Sequence, residues 1–151
     1  MRALVVYDSM YGNTEQVAQA IAAALEPDGS VRAVKVDQVS PQDLMGLDAL
    51  VVGSPVQAWR PSKAIRAFLS DLPDKALAGV KAAAFDTRYK SRLSGSAADR
   101  IQKELRKADC TIIAPAAAFI VLDSEGPLAE GELDRATAWA EQIRGAVTPA
   151  V

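Results

Sequence analysis

Six consecutive residues, Ser9-Met10-Tyr11-Gly12-Asn13-Thr14, bring together the side chains and the backbone freedom that an anion site needs. Ser9, Tyr11 and Thr14 carry hydroxyl donors, and Asn13 carries an amide. Gly12 has no Cβ, so its backbone can approach a ligand closely or take positive φ. The stretch follows an apolar run from Arg2 to Tyr7 and leads into an Ala-rich helical pattern from Thr14. The first N–H groups of a helix have no partner within the helix, and the macrodipole adds partial positive charge there. The chemistry expected of the loop is phosphate binding. A plainer reading is an ordinary turn into a helix, with Asn13 as cap and Gln16 completing a capping box.

Two further stretches carry aromatic and polar groups. Ser54 to Pro61 holds Trp59, with Ser54 and Gln57 nearby. Asp86 to Gly95 holds Tyr89 among Arg88, Lys90 and Arg92. Trp and Tyr faces stack on flat rings. A phosphate loop beside two such stretches suits a ligand with a phosphate tail and a flat apolar ring. The plainer alternatives are a Trp59 that only covers a neighbouring helix and a basic loop that only meets water.

Other chemistries are closed off by composition. The 151 residues include no histidine, which excludes Ser-His and Cys-His hydrolytic machinery and every His-based metal site. The one cysteine, Cys110, forms no intrachain disulfide and lies in the apolar run Cys110-Thr111-Ile112-Ile113, where an inert buried thiol is expected. Redox chemistry in this chain therefore needs a bound cofactor. A net charge of −2, from 17 basic and 19 acidic residues, lacks the basic stripe of a nucleic-acid binder. With no apolar leader and no apolar run of about 18 residues, the expectation is a cytoplasmic protein without a membrane span.

The elements that must position these residues follow from periodicity. Buried strands are expected at Arg2 to Tyr7, Leu47 to Gly53 and Val80 to Phe85, with an edge strand at Val31 to Val36. A late strand spans Cys110 to Ala114 and Ala117 to Leu122, broken at Pro115. Helices are expected from Thr14 to Leu25, from Pro41 to about Met45 behind the cap Ser40, and from Ser62 to about Leu72 with Ala64, Ile65, Phe68, Leu69 and Leu72 inward. Another starts at Ser96 with Ala97, Ile101, Leu105 and Ala108 inward, and a last runs from Leu133 to Ile143 with Leu133, Ala136, Ala140 and Ile143 inward. A turn is read at Pro27 to Ser30, a connector at Pro73 to Gly79, an acidic loop at Asp123 to Gly131, and a fraying tail at Gly145 to Val151. The sum is a single α/β domain over 1–151, a parallel sheet with helices on both faces. In such sheets ligands bind beyond the carboxyl ends of the strands, where the order reverses. Asp8–Asn13, Ser54–Pro61 and Asp86–Gly95 all fall at that edge.

The chain resembles the flavodoxin family over essentially its whole length. The family's phosphate loop has the form [ST]-x-[TY]-G-x-T, which Ser9 to Thr14 matches directly after the first strand. Gly53-Ser54-Pro55-Val56-Gln57-Ala58-Trp59 and Asp86-Thr87-Arg88-Tyr89 resemble the two flavin-flanking loops, in position more than in sequence. The resemblance implies a flavodoxin-like three-layer sandwich with a five-stranded parallel sheet of order 2-1-3-4-5. That order, with FMN at the switch point, is a known property of the family. The resemblance also implies FMN as cofactor. Its binding residues would be Ser9, Met10, Tyr11, Gly12, Asn13 and Thr14 at the phosphate, then Ser54, Pro55, Val56, Gln57 and Trp59, then Asp86, Thr87, Arg88 and Tyr89. No catalytic side chain and no metal ligand is implied.

The chain departs from the family pattern in being nearly neutral and in carrying Arg88, Lys90 and Arg92 where acidic residues are usual. Nearby cations would favour negative charge on a reduced flavin and raise its potential. The expected function is an FMN protein carrying electrons between a reductase and an acceptor, either partner proteins or a small quinone-like or anionic molecule. The alternatives are an enzyme on the same fold, an NAD(P)H:quinone reductase or protoporphyrinogen-type oxidase, and a degenerate member without flavin. A phospho-acceptor receiver domain shares the topology. It needs an Asp where this chain has Gly53-Ser54-Pro55, and an acidic pair where only Asp8 stands.

Overall fold

A computed structural model describes residues 1–26, 30–73, 75–89 and 96–147. Its strands are β1 (Ala3–Tyr7), β2 (Arg32–Lys35), β3 (Ala49–Pro55), β4 (Lys81–Tyr89), β5 (Thr111–Ile112) and β6 (Ala117–Val121). The helices are α1 (Asn13–Leu25), α2 (Lys63–Ser70), α3 (Ala97–Lys107) and α4 (Glu132–Val147). The strands pair in parallel in the order β2-β1-β3-β4-β5, and β6 also pairs with β4. The fifth position of the sheet is thus filled by two short strands in series, β5 beside Lys81 and Ala82 and β6 beside Phe85 to Tyr89. The break falls around Pro115, as expected of a residue with no N–H for the ladder. The Pro115 carbonyl instead accepts from the Trp139 indole at 3.0 Å.

The apolar strands are covered on both sides. Side chains alternate along a strand, so Val5, Val51 and Phe85 pack with α1 and α4, while Val6, Val52 and Ala84 pack with α2 and α3. Phe85, Phe119 and Trp139 meet edge to face, with ring centroids 6.0–6.2 Å apart. Phe85 lies across Gly53, where a Cβ would come within 2.0 Å of the ring, so the ring occupies the space a side chain would take.

Several sequence expectations are corrected. β3 and β4 run past Gly53 and Phe85, so Ser54 and Pro55 pair with Asp86 and Thr87 inside the sheet. These polar residues stay in strand because β6 also pairs along β4 from Phe85 to Tyr89. Pro41–Leu44 is a 3₁₀ turn, tied by the Ser40 N–H donating to the Asp43 carboxylate at 2.8 Å. α2 ends at Ser70, and Ala64 is exposed.

Leu133 faces solvent, and Glu132 is buried in its place. The Glu132 carboxylate accepts the Ile120 N–H at 2.7 Å and Arg135 Nη1 at 2.6 Å, which ties α4 to the outer edge of β6. α4 continues through Gly145 to Val147, where fraying was expected. Pro27 to Gly29, Asp74, Lys90 to Gly95 and the tail 148–151 lie outside the described residues, and with them the expected roles of Lys90 and Arg92. No helix among the described residues is long and apolar enough to cross a membrane.

Candidate functional site

Gly12, not Asn13, is the cap of α1. It takes φ 88°, and its carbonyl accepts the Gln16 N–H at 3.1 Å. Ser9 Oγ turns back into the loop, accepting the Gly12 N–H at 3.0 Å and the Glu15 N–H at 3.4 Å. Among the described residues nothing accepts the N–H groups of Asn13 and Thr14, which remain open at the start of α1. Both residues are buried. Two inward backbone donors at a helix start form a cradle for an acceptor-only group. Thr14 Oγ1 lies 2.8 Å from Thr87 Oγ1 on β4. The Asn13 side chain lies against Gly126, where a Cβ would come within 2.6 Å of Asn13 Oδ1.

The second stretch is a tight hairpin. Gln57 and Arg60 exchange backbone hydrogen bonds at 2.8 and 3.1 Å, with Ala58 at φ 49° and Trp59 at φ 66° between them. Left-handed conformations at two successive non-glycine residues are strained, and such strain clusters at ligand sites. The turn leaves Trp59 60% exposed at its tip. Ser54 is fully buried beneath it, accepting the Ser62 N–H at 2.8 Å and donating to the Pro55 carbonyl. Ser62 in turn caps α2 through the Ile65 N–H.

In the third stretch, Asp86 is fully buried. Its oxygens accept Arg88 Nε at 2.8 Å, Arg88 Nη2 at 2.6 Å and the Ala98 N–H at 2.9 Å. The hydrogen bonds that Arg88 donates to Asp86 raise the Arg88 pKa above its ordinary value, against the opposing effect of burial. Arg88 is thus a fixed guanidinium whose charge is balanced by Asp86, which weakens the expected cationic pull on a reduced ligand.

A cavity of about 330 Å³ opens between these stretches at the carboxyl ends of β1, β3, β4 and β6. Its wall includes Ser9, Met10, Tyr11, Asn13, Thr14, Pro55, Val56, Gln57, Trp59, Thr87, Arg88 and Tyr89. Three residues expected at the site are not in the wall: Gly12 shapes the α1 cap, Ser54 supports the hairpin, and Asp86 lies behind Arg88. Ala58, Val121 and Ser124 line the cavity and were missed. The signal for Val121 and Ser124 was the expected strand from Ala117 to Leu122, since its carboxyl end had to reach the same edge. The loop beyond it shows only its acidic charge in the sequence.

A protein-family model described as "Flavodoxin domain" matches residues 4–109. The chain belongs to the flavodoxin family. A flavodoxin of Aquifex aeolicus (strain VF5) is 34% identical over 73 residues, which are 47% of this chain and 40% of that protein's length. Less than half of that curated relative is therefore matched. A flavodoxin from the domain Archaea superposes with a TM-score of 0.82 at 24% identity, over 97% of this chain and 99% of the other. Oxidised flavodoxin 1 from Bacillus cereus gives 0.80 at 17% identity, over 95% and 97%. At these identities the solved structures establish the flavodoxin fold.

Proposed function

We propose that the cavity holds FMN and that the protein carries electrons between a reductase and an acceptor. One observation carries the reading: Asn13 and Thr14, whose N–H groups are open, line a cavity whose wall also holds Trp59 and Tyr89. The donor set is neutral and suits a phosphate, and the aromatic faces suit a flat ring. Ser9, Tyr11, Asn13 and Thr14 hold the phosphate; Trp59 and Tyr89 flank the ring. Bound FMN supplies one- and two-electron chemistry. The chain binds and orients it and excludes water from one side, which agrees with a site lacking histidine.

A visible spectrum of the purified protein, alone and after FMN soaking and desalting, tests the reading. Flavin absorbance retained at one equivalent supports it, and a colourless protein after soaking defeats it. The exposed rim of Met10, Tyr11 and Trp59 favours a second reading, an enzyme that takes a flat apolar acceptor such as a quinone. NADPH turnover with a quinone by this chain alone decides for that reading over a carrier.

A further inference from the structure

We infer that Thr87 is a positioning residue for the phosphate, acting through the hydroxyl of Thr14. The inference rests on the FMN reading above and gives Thr87 a task at the opposite end of the ligand from the flavin-flanking role its sequence position suggests. Thr87 lies in the interior of the sheet, paired with Pro55 on β3 and Phe119 on β6. Its carbonyl also accepts the Val56 N–H at 3.0 Å. Backbone pairing on both edges fixes the direction of its side chain, which points to the same face as Phe85 two residues earlier. That face carries α1, and there Thr87 Oγ1 lies 2.8 Å from Thr14 Oγ1, with both residues buried.

Each threonine hydroxyl has one proton and two lone pairs. Without a ligand the two hydroxyls share one hydrogen bond, in which either can be the donor. A phosphate dianion only accepts, so beside it Thr14 must donate outward. The Thr14 oxygen is then left with lone pairs facing the sheet, and Thr87 is the donor at hand. The proton order becomes fixed as Thr87 to Thr14 to phosphate. Thr87 thereby sets both the rotamer of Thr14 and the direction of its O–H.

The test is titration of the full-length protein, stripped of flavin, with FMN and separately with riboflavin, which lacks the phosphate. Thr87→Val keeps the β-branched shape and removes the donor. It should weaken FMN by about five- to tenfold, the size of one net hydrogen bond between neutral groups. Riboflavin affinity should change by less than about twofold, and Thr87→Ser should restore FMN binding. In a Thr14→Val background, Thr87→Val should have no further effect on FMN. Equal losses for FMN and riboflavin would reduce Thr87 to a packing role and overturn the inference. So would unchanged FMN affinity in Thr87→Val, or in Thr87→Ala if the valine variant does not fold. A wild-type protein that takes up riboflavin and FMN equally well defeats the phosphate role of Thr14 and the relay with it. One that takes up neither defeats the flavin reading itself.

Discussion

At Asp86 three donors converge on one carboxylate with no solvent exposure. Such a group depends on all of its partners, because a buried charge stripped of its counter-ion is expensive. Arg88→Gln should therefore destabilise the fold by about 3 kcal/mol, read as a lower urea midpoint at unchanged slope. Asp86→Asn in the same chain should recover part of that loss, since no unpaired charge is then left behind. None of this was legible in the sequence. Asp86 and Arg88 have the types of a polar loop, which favour solvent, and it is pairing with β3 at Asp86 and with β6 at both residues that keeps them in strand. The pairing of Thr14 with Thr87 was equally hidden, because the two are 73 positions apart.

Among the elements, the start of α1 shows what a local pattern can reveal. The run Ser9 to Thr14 was readable because strand, glycine-bearing loop and helix follow one another in the chain. The cap is not legible in the sequence, since Asn13 is a common cap residue while only backbone geometry reveals Gly12 at φ 88°. A Cβ at Gly12 would meet nothing within 4 Å. Gly12→Ala should therefore cost about 1–2 kcal/mol from the left-handed backbone alone, visible in thermal unfolding without flavin. If the substitution proves neutral, the loop relaxes to another conformation and the cradle is less rigid than described. Leu133 and Glu132 were exchanged for a related reason. A helix-period pattern favours leucine inward, but the Ile120 N–H at the sheet edge needs an acceptor that leucine cannot supply.

For the molecule as a whole, the doubly wound topology was legible because continuous apolar runs alternated with amphipathic ones. The extent of the site was not, since the fourth wall at Val121 and Ser124 depends on how the late strand divides. The buried titratable groups set the response to alkali. Burial lifts the Cys110 thiol from 9.0 to about 11. Burial, then the hydrogen bond and charge of Glu15, lift the Tyr7 phenol from 10.0 to about 12. In both, the folded state holds its proton to higher pH than the unfolded chain does. Their contribution is complete below pH 9 and is lost as pH rises from 9 to 12. Chemical unfolding at a series of pH values should show a midpoint that falls through this window, and a flat profile would contradict the burial of both groups. Over the same range Cys110 should react with thiol reagents far more slowly than a free thiol.

The two tryptophans stand in opposite surroundings. Trp139 is packed edge to face with Phe85 and Phe119 beneath the sheet, and Trp59 stands at the hairpin tip. Their emission therefore reports on different events. Trp139 should emit at shorter wavelength and follow the melting of the core. Trp59 should emit near the wavelength of indole in water and be quenched when a ring stacks on it. Replacing Trp59 by Phe leaves Trp139 as the tryptophan signal, so that in the absence of ligand the melting of the core is followed without a contribution from the hairpin tip.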